Sequence, residues 1–316
     1  MLIRFHFTFI LALFAAPCIA DDLPGIPLFI DEMVTKHQFK REELVQVFQR
    51  AHYQQTVITA ITTPSTIKPW LEYRAAFIND KRIKGGLEFW SRYAAALKIA
   101  EKEYGVPQEI IVAVIGVETL YGRNSGKFSV LDALTTLAFS YPPRAAFFRS
   151  ELENYLLLAR DQEWELFKIQ SSYAGALGIP QFMPSSYRKH AVDFDNDDEI
   201  DLLNDPIDAI GSVANYLKQY GWRKDEPVAV RAKVSAESCP GSLRDPRPLV
   251  AWKAAGVIPL APYNSEYSAL LLDFTVATGA EFWLAFKNFQ VITLYNNSNF
   301  YAMSVFQLAN ALRNER

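Results

Sequence analysis

Cysteine is scarce: Cys18 and Cys239 are the only two in 316 residues. Cys18 falls in a segment that reads as an N-terminal export signal, so its loss would leave Cys239 alone and no intrachain disulfide to staple the fold. A surplus of basic charge is also missing. Thirty-two Lys and Arg stand against 35 Asp and Glu, a formal net charge of −3. Binding to duplex nucleic acid rests on many phosphate contacts, so this balance argues against nucleic acid as a partner. Beyond the N-terminal segment no apolar run is long enough to cross a bilayer. No internal repeat, low-complexity tract or long linker is visible. What is present is an ordinary globular composition, 50% apolar and 21% charged, sufficient for two or three packed units. Aromatic residues reach 14%. They either fill a core or line a groove for a flat ligand such as a sugar or a base.

The N-terminus has three parts: Arg4 in a short basic lead, an apolar stretch over 5–16, and Pro17-Cys18-Ile19-Ala20 before Asp21-Asp22. This is the pattern of an export signal cleaved after Ala20, and it is too short to span a membrane comfortably. Bacterial lipidation resembles a pattern with a small residue just before the cysteine, and Pro17 occupies that place. The expected product is a soluble periplasmic protein without lipid at Cys18.

Helical spacing dominates residues 21–62, with a break at Thr62-Thr63-Pro64-Ser65. Residues 90–104 read as one long helix stopped by Gly105-Val106-Pro107. Residues 108–121 differ from it. Ile110-Ile111-Val112-Ala113-Val114-Ile115-Gly116-Val117 is apolar on every face, which is the mark of a helix buried in the middle of a domain. Further helices are expected over 130–140, 145–160, 206–220 and 302–314. Between them, residues 226–235, 270–276 and 281–294 read as strands.

Glu118 ends the buried run. Burial disfavours a charged carboxylate and raises its pKa, which is what a general acid requires near neutral pH. Residue type and spacing allow a second reading, a helix-end carboxylate paired with Arg123. Residues 171–184 (SSYAGALGIPQFMP) mix small residues, aromatics and uncharged polar groups. Ser172, Tyr173 and Gln181 offer contacts for sugar hydroxyls and amides, and a tightly packed turn would look the same. Tyr295-Asn296-Asn297-Ser298-Asn299-Phe300-Tyr301 is a second polar-aromatic cluster, or an asparagine-rich turn capping the last helix at Ser298 or Asn299.

Residues 193–201 (DFDNDDEID) begin like an EF-hand calcium loop. Asp193, Asp195 and Asp197 take positions 1, 3 and 5, the Glu199 carbonyl takes 7, and Ile200 the apolar position 8. Asp198 replaces the usual glycine at position 6, and Asn204 stands where a bidentate Glu is usual. Asp205-Pro206 reads as a helix N-cap with Pro at N1. Asp208 then either closes the cation site or complements the helix dipole. A solvated acidic turn is the alternative to a metal site.

Taken together, residues 111–123, 171–187, 205–216 and the Tyr295–Tyr301 cluster resemble the lytic murein transglycosylase B family, in order and across residues 34–312. The resemblance implies an α+β, mainly α fold: a lysozyme-like helical core, an additional helical domain and a small β-rich insertion. The implied layout is a signal peptide at 1–20, a helical domain at 21–104, a catalytic core at 105–223 with the EF-hand-like loop at 193–208, a β-rich domain at 224–292, and a return to the groove at 293–316. It implies cleavage of the β-1,4 bond between N-acetylmuramic acid and N-acetylglucosamine in peptidoglycan, leaving 1,6-anhydromuramic ends. Glu118 matches the catalytic glutamate. Ser172, Gln181, Tyr216, Tyr295, Asn296 and Tyr301 match residues of the glycan groove, with Tyr73 and Arg144 matching more loosely. The metal site maps to Asp193, Asp195, Asp197, Glu199 and Asp208, for a structural Ca2+. No organic cofactor is implied, and a monomer acting on glycan strands is expected. The rival readings are a hydrolytic muramidase or chitinase and a non-catalytic, calcium-dependent glycan-binding envelope protein.

Overall fold

A computed structural model describes residues 23–63, 68–235 and 245–316. The export-signal segment, Cys18 and Cys239 lie outside the described residues. The mainly helical α+β class expected from the sequence holds. The amino-terminal part comprises α1 (Ile26–His37), α2 (Arg41–Arg50), α3 (Gln55–Thr62), α4 (Trp70–Phe77), α5 (Asp80–Arg92) and α6 (Ala94–Tyr104). The middle of the chain adds α7 (Gln108–Thr119), the short strand β1 (Phe128–Ser129), α8 (Val130–Ser140), α9 (Ala145–Asp161), β2 (Gln170–Ser171), α10 (Pro184–His190) and α11 (Pro206–Gln219). Then come β3 (Ala229–Val234), β4 (Arg247–Pro248), α12 (Leu249–Ala254), β5 (Val257–Pro259), β6 (Ser268–Val276) and β7 (Gly279–Ala285). Helices α13 (Lys287–Tyr295) and α14 (Asn299–Glu315) close the chain.

Helix α7 is the axis of the molecule. Every residue from 110 to 117 is buried, and α5, α6, α11 and α14 pack around it. Its β-branched Ile and Val side chains each give up a few tenths of a kcal/mol in helix propensity. Burying each one returns roughly 1.5–3 kcal/mol, so packing decides the conformation.

The sheet is antiparallel with strand order β4-β6-β7-β3-β5. Strand β6 serves two cores because alternate side chains point to opposite faces. Ala269 and Leu271 join Val230, Leu284, Trp252 and Val257 in a small core under α12. Leu270, Leu272 and Phe274 face the helical body instead. Phe274 lands on Trp70 of α4, ring centroids 4.8 Å apart.

Two expectations are corrected. The helix over 90–104 is broken at Tyr93 (φ −108°, ψ 24°), which ends α5 and starts α6. No Gly or Pro marks the break, so the spacing gave no sign of it. The strand over 281–294 ends at Ala285, and the rest is helix α13. Val291, Ile292 and Thr293 have strand-like composition. However, Asn288, Phe289, Val291 and Ile292 are buried together, a helical face rather than an alternating one. Asn288 pins that face: its amide donates to the carbonyls of Arg223 and Glu226 and accepts from the Arg223 N–H, all at 2.8 Å.

Candidate active site

Helix α7 ends abruptly. Leu120 and Tyr121 both adopt the left-handed conformation, with φ of 52° and 63°. This turn is possible because the Tyr121 ring lies flat on Gly116, where an added Cβ would stand 2.6 Å from the ring. Thr119 fixes the turn from below, its hydroxyl donating to the Ile179 carbonyl at 2.8 Å and accepting from the Gly122 N–H at 2.9 Å. Glu118 projects from this last turn and keeps partial access to solvent.

The Glu118 carboxylate accepts a hydrogen bond from the Tyr301 hydroxyl at 2.6 Å. Burial pushes its pKa up to about 7, against opposing pulls from the Tyr301 hydrogen bond and the positive charge of Arg82. Neither of those groups is a second carboxylate. Arg123 turns away and pairs with Glu88 at 3.3 Å, both side chains exposed. The helix-end ion pair that the sequence also allowed is therefore not formed.

Four tyrosines flank the carboxylate. Tyr301 stacks on Tyr295 with centroids 6.3 Å apart and planes 13° from parallel. Tyr295 meets Tyr216 at 4.8 Å. The Tyr295 hydroxyl donates to the Pro180 carbonyl at 2.5 Å and that of Tyr216 to the Leu294 carbonyl at 2.8 Å. Tyr73 stacks on Trp70 at 6.5 Å. Burial first, and then the nearby Glu118 charge, raises the pKa of Tyr73, Tyr295 and Tyr301. For Tyr216 burial again comes first, followed by Tyr220, with Glu118 adding a smaller push. All four stay neutral donors at physiological pH.

The other expected groove residues divide. Gln181, held at φ 53°, donates to the carbonyls of Ser125 at 3.0 Å and Gly178 at 2.9 Å. Ser172 accepts from the Ala176 N–H at 3.1 Å. Both hold the 171–184 turn in shape. Asn296 is exposed beside Tyr295, and Tyr173 is 39% exposed. Arg144 is exposed ahead of α9, with its guanidinium 4.4 Å from the Phe147 ring centre. No contact joins Tyr173 or Arg144 to Glu118.

Arg82, near the start of α5, escaped the sequence reading. Its guanidinium donates to the carbonyl of Gly116, two residues before Glu118, and to that of Ala76 at 3.1 Å. The available cue was its position: a cation in the first helical turn opposes the helix dipole and asks for a reason.

The acidic loop gathers as its spacing suggested. Carboxylate oxygens of Asp193, Asp195 and Asp197 lie within 4.8 Å of one another. Asp193 accepts from the N–H groups of Asn196 (2.7 Å), Asp197 (3.2 Å) and Asp198 (3.0 Å). Asp198 takes φ 71°, the left-handed conformation that the missing glycine would have supplied. The carboxyl of Asp195 is held above its ordinary value by local desolvation and then by its acidic neighbours Asp197, Asp205 and Asp193. An all-oxygen cluster with this repulsion suits a hard divalent cation. Asp208 is not part of that cluster. Its two oxygens accept from the N–H groups of Phe194 at 2.7 Å and Asp201 at 2.8 Å, so the expected ligand clamps the two ends of the loop together. Asp205 caps α11 through the Ile207 N–H at 2.5 Å, with Pro206 at N1.

Comparison with known proteins places these features in context. The profile of the transglycosylase SLT domain matches residues 25–310. The membrane-bound lytic murein transglycosylase B of Escherichia coli (strain K12) is 44% identical over 299 residues, 92% of this chain and 82% of the relative. The structure of the lytic transglycosylase Slt35 of Escherichia coli in complex with calcium superposes with a TM-score of 0.87 at 44% identity, covering 93% of this chain and 94% of that one. SltB3 of Pseudomonas aeruginosa, solved in complex with NAG-anhNAM-pentapeptide, gives a TM-score of 0.82 at 28% identity, over 91% of this chain and 78% of that one.

Proposed function

Because the chain belongs to the transglycosylase SLT domain family, we propose that it is a peptidoglycan lytic transglycosylase in which Glu118 serves first as acid and then as base. The observation that carries this reading is the carboxyl of Glu118 at the end of the buried helix α7, raised by burial to a pKa of about 7 and hydrogen-bonded to Tyr301 at 2.6 Å. Protonated Glu118 gives its proton to the glycosidic oxygen between N-acetylmuramic acid and N-acetylglucosamine. The bond from the muramic C1 to that oxygen breaks, and the glucosamine unit leaves as an alcohol. The muramic acetamido group stabilises the positive charge at C1, as in substrate-assisted glycosidases. The muramic C6 oxygen then bonds to C1, and its proton passes to the Glu118 carboxylate. The acid is regenerated and no water is consumed. One residue acts twice because both protons lie within its reach.

Tyr73 and Tyr295 offer ring faces to the sugars, with Asn296 at the rim, while Tyr216 and Tyr301, whose hydroxyls donate to Leu294 and Glu118, back them and shape the groove. Ser172, Gln181, Tyr173 and Arg144 are assigned to outer contacts with the strand. The acidic loop holds a structural Ca2+ through Asp193, Asp195, Asp197 and the Glu199 carbonyl. When bound, the ion neutralises the loop's repulsion and fixes the entry to α11, which carries Tyr216. The bound calcium of Slt35 and the anhydromuramic ligand of SltB3 support these assignments by similarity. A periplasmic location accords with the reading of residues 1–20 and with a relative that is membrane-bound.

The deciding experiment is mass spectrometry of the products from purified peptidoglycan. Muropeptides one water lighter than hydrolysed ones are expected. Full-mass reducing ends would instead identify a muramidase, and intact glycan in the presence of folded protein would identify a binding module.

A further inference from the structure

Arg82 and Tyr121 tie α5 to α7 in both directions. The Arg82 side chain donates to the Gly116 carbonyl in the last turns of α7. In return the Tyr121 hydroxyl donates to the Arg82 carbonyl at 2.8 Å. The guanidinium lies 4.9 Å from the Phe77 ring centre and is half-buried. It forms no ion pair at contact distance among the described residues; the carboxylate that acts on its charge is that of Glu118. A half-buried cation without a salt-bridge partner is costly, and hydrogen bonds to two carbonyls could be made by a neutral donor. Arginine adds a charge that persists when buried.

We propose that Arg82 is a positioning residue for the reaction: its guanidinium fixes the turn from which Glu118 projects, and its charge favours the carboxylate that Glu118 becomes after giving up its proton. The inference rests on the reading of Glu118 as acid and base. It assigns the two demands on one carboxyl to two environments. The apolar surroundings of α7 keep the proton on for the first transfer, and Arg82 limits that effect so that the base form is reachable for the second. The other titratable groups facing Glu118 are Tyr73 on α4, Tyr216 on α11, Tyr295 on α13 and Tyr301 on α14. All four are neutral, which leaves Arg82 as the charge in the set.

The test is the pH profile of kcat/KM on solubilised glycan strands for wild type, Arg82→Gln, Arg82→Lys and Tyr121→Phe, with melting temperatures alongside. Activity should fall above the Glu118 pKa, near pH 7 in wild type. Loss of the cation in Arg82→Gln should move that alkaline limb upward by about 0.5–1 pH unit and lower kcat about tenfold. Arg82→Lys keeps the charge and should hold the limb near the wild-type position. Tyr121→Phe breaks the return tie and should lower the melting temperature without moving the limb. If Arg82→Gln does not fold, Arg82→Met, whose stem can still cover Phe77, must show the same upward limb. An unmoved limb in the neutral variants, with only a loss of melting temperature, would overturn the inference. Full activity in Glu118→Gln would overturn the reading beneath it, and the two failures are seen in different proteins.

Discussion

The protein uses carboxylates in two opposite ways. At the end of α7 one carboxyl stands among apolar groups and neutral tyrosines with Arg82 as the nearby charge, and burial makes it reluctant to ionise. In the loop after α10, Asp193, Asp195 and Asp197 crowd together at the surface, where water and backbone N–H groups sustain their charges. The side-chain chemistry is nearly the same. Dryness and isolation suit a proton donor; wetness and crowding suit a cation site. The residue type therefore says little until its surroundings are known.

The largest test of this contrast is Glu118→Gln. Removing the proton donor should reduce glycan cleavage by roughly 10²–10⁴-fold, measured as anhydromuropeptide release, with the calcium response of the loop unaltered. Next in size is the cation. Calcium at about 100 times its Kd should add roughly 2.7 kcal/mol, raising the melting temperature by several degrees. Asp195→Asn should abolish that rise in calorimetry while keeping cleavage activity at low temperature. Tyr301→Phe is smaller. It removes the donor that supports the Glu118 carboxylate, so the pKa rises, the alkaline limb of kcat/KM moves up, and kcat drops on the order of tenfold.

The smallest effect concerns stability. The folded Glu118 pKa of about 7 lies above its ordinary value of 4.5. Between these values the folded protein holds a proton that the unfolded chain has released. Stability therefore falls as pH rises through that window, and the full penalty is present above it. Glu118→Gln should accordingly be more stable than wild type at pH 8, by about 1 kcal/mol or more, with the advantage gone near pH 4. Urea titrations at the two pH values measure it.

These two regions also differed in how far they could be read from sequence. The loop was legible because its donors fall within one continuous stretch at fixed spacing. The fate of Asp208 was not, since only the folded loop shows its oxygens taken by Phe194 and Asp201. Helix α7 was legible from its unbroken apolar run, and the caps at Asp205 and Ser298 from their residue types. The surroundings of Glu118 were not legible from local pattern. Arg82 and Tyr301 come from distant helices, and Tyr301 was placed near the groove by family resemblance rather than by spacing. The misread strand after Ala285 has the same origin: β-branched composition yielded to a buried face that only tertiary packing defines.

The hydrogen bond between Tyr301 and Glu118 joins residues 183 positions apart. Its consequence is temporal. Chains are made from the amino end, and contacts of such high sequence separation form late, after their loop-closure entropy has been met. Helix α7 exists on paper long before α14 has been synthesised, but it lacks the helix that covers it and the hydroxyl that faces its acid. A fragment that stops short of α14 carries Glu118 without the enclosure that gives it its chemistry. The surroundings proposed to tune Glu118 are thus incomplete until α14 has been made and has packed on α7, so the order of synthesis sets a delay between forming the acid's helix and enclosing it.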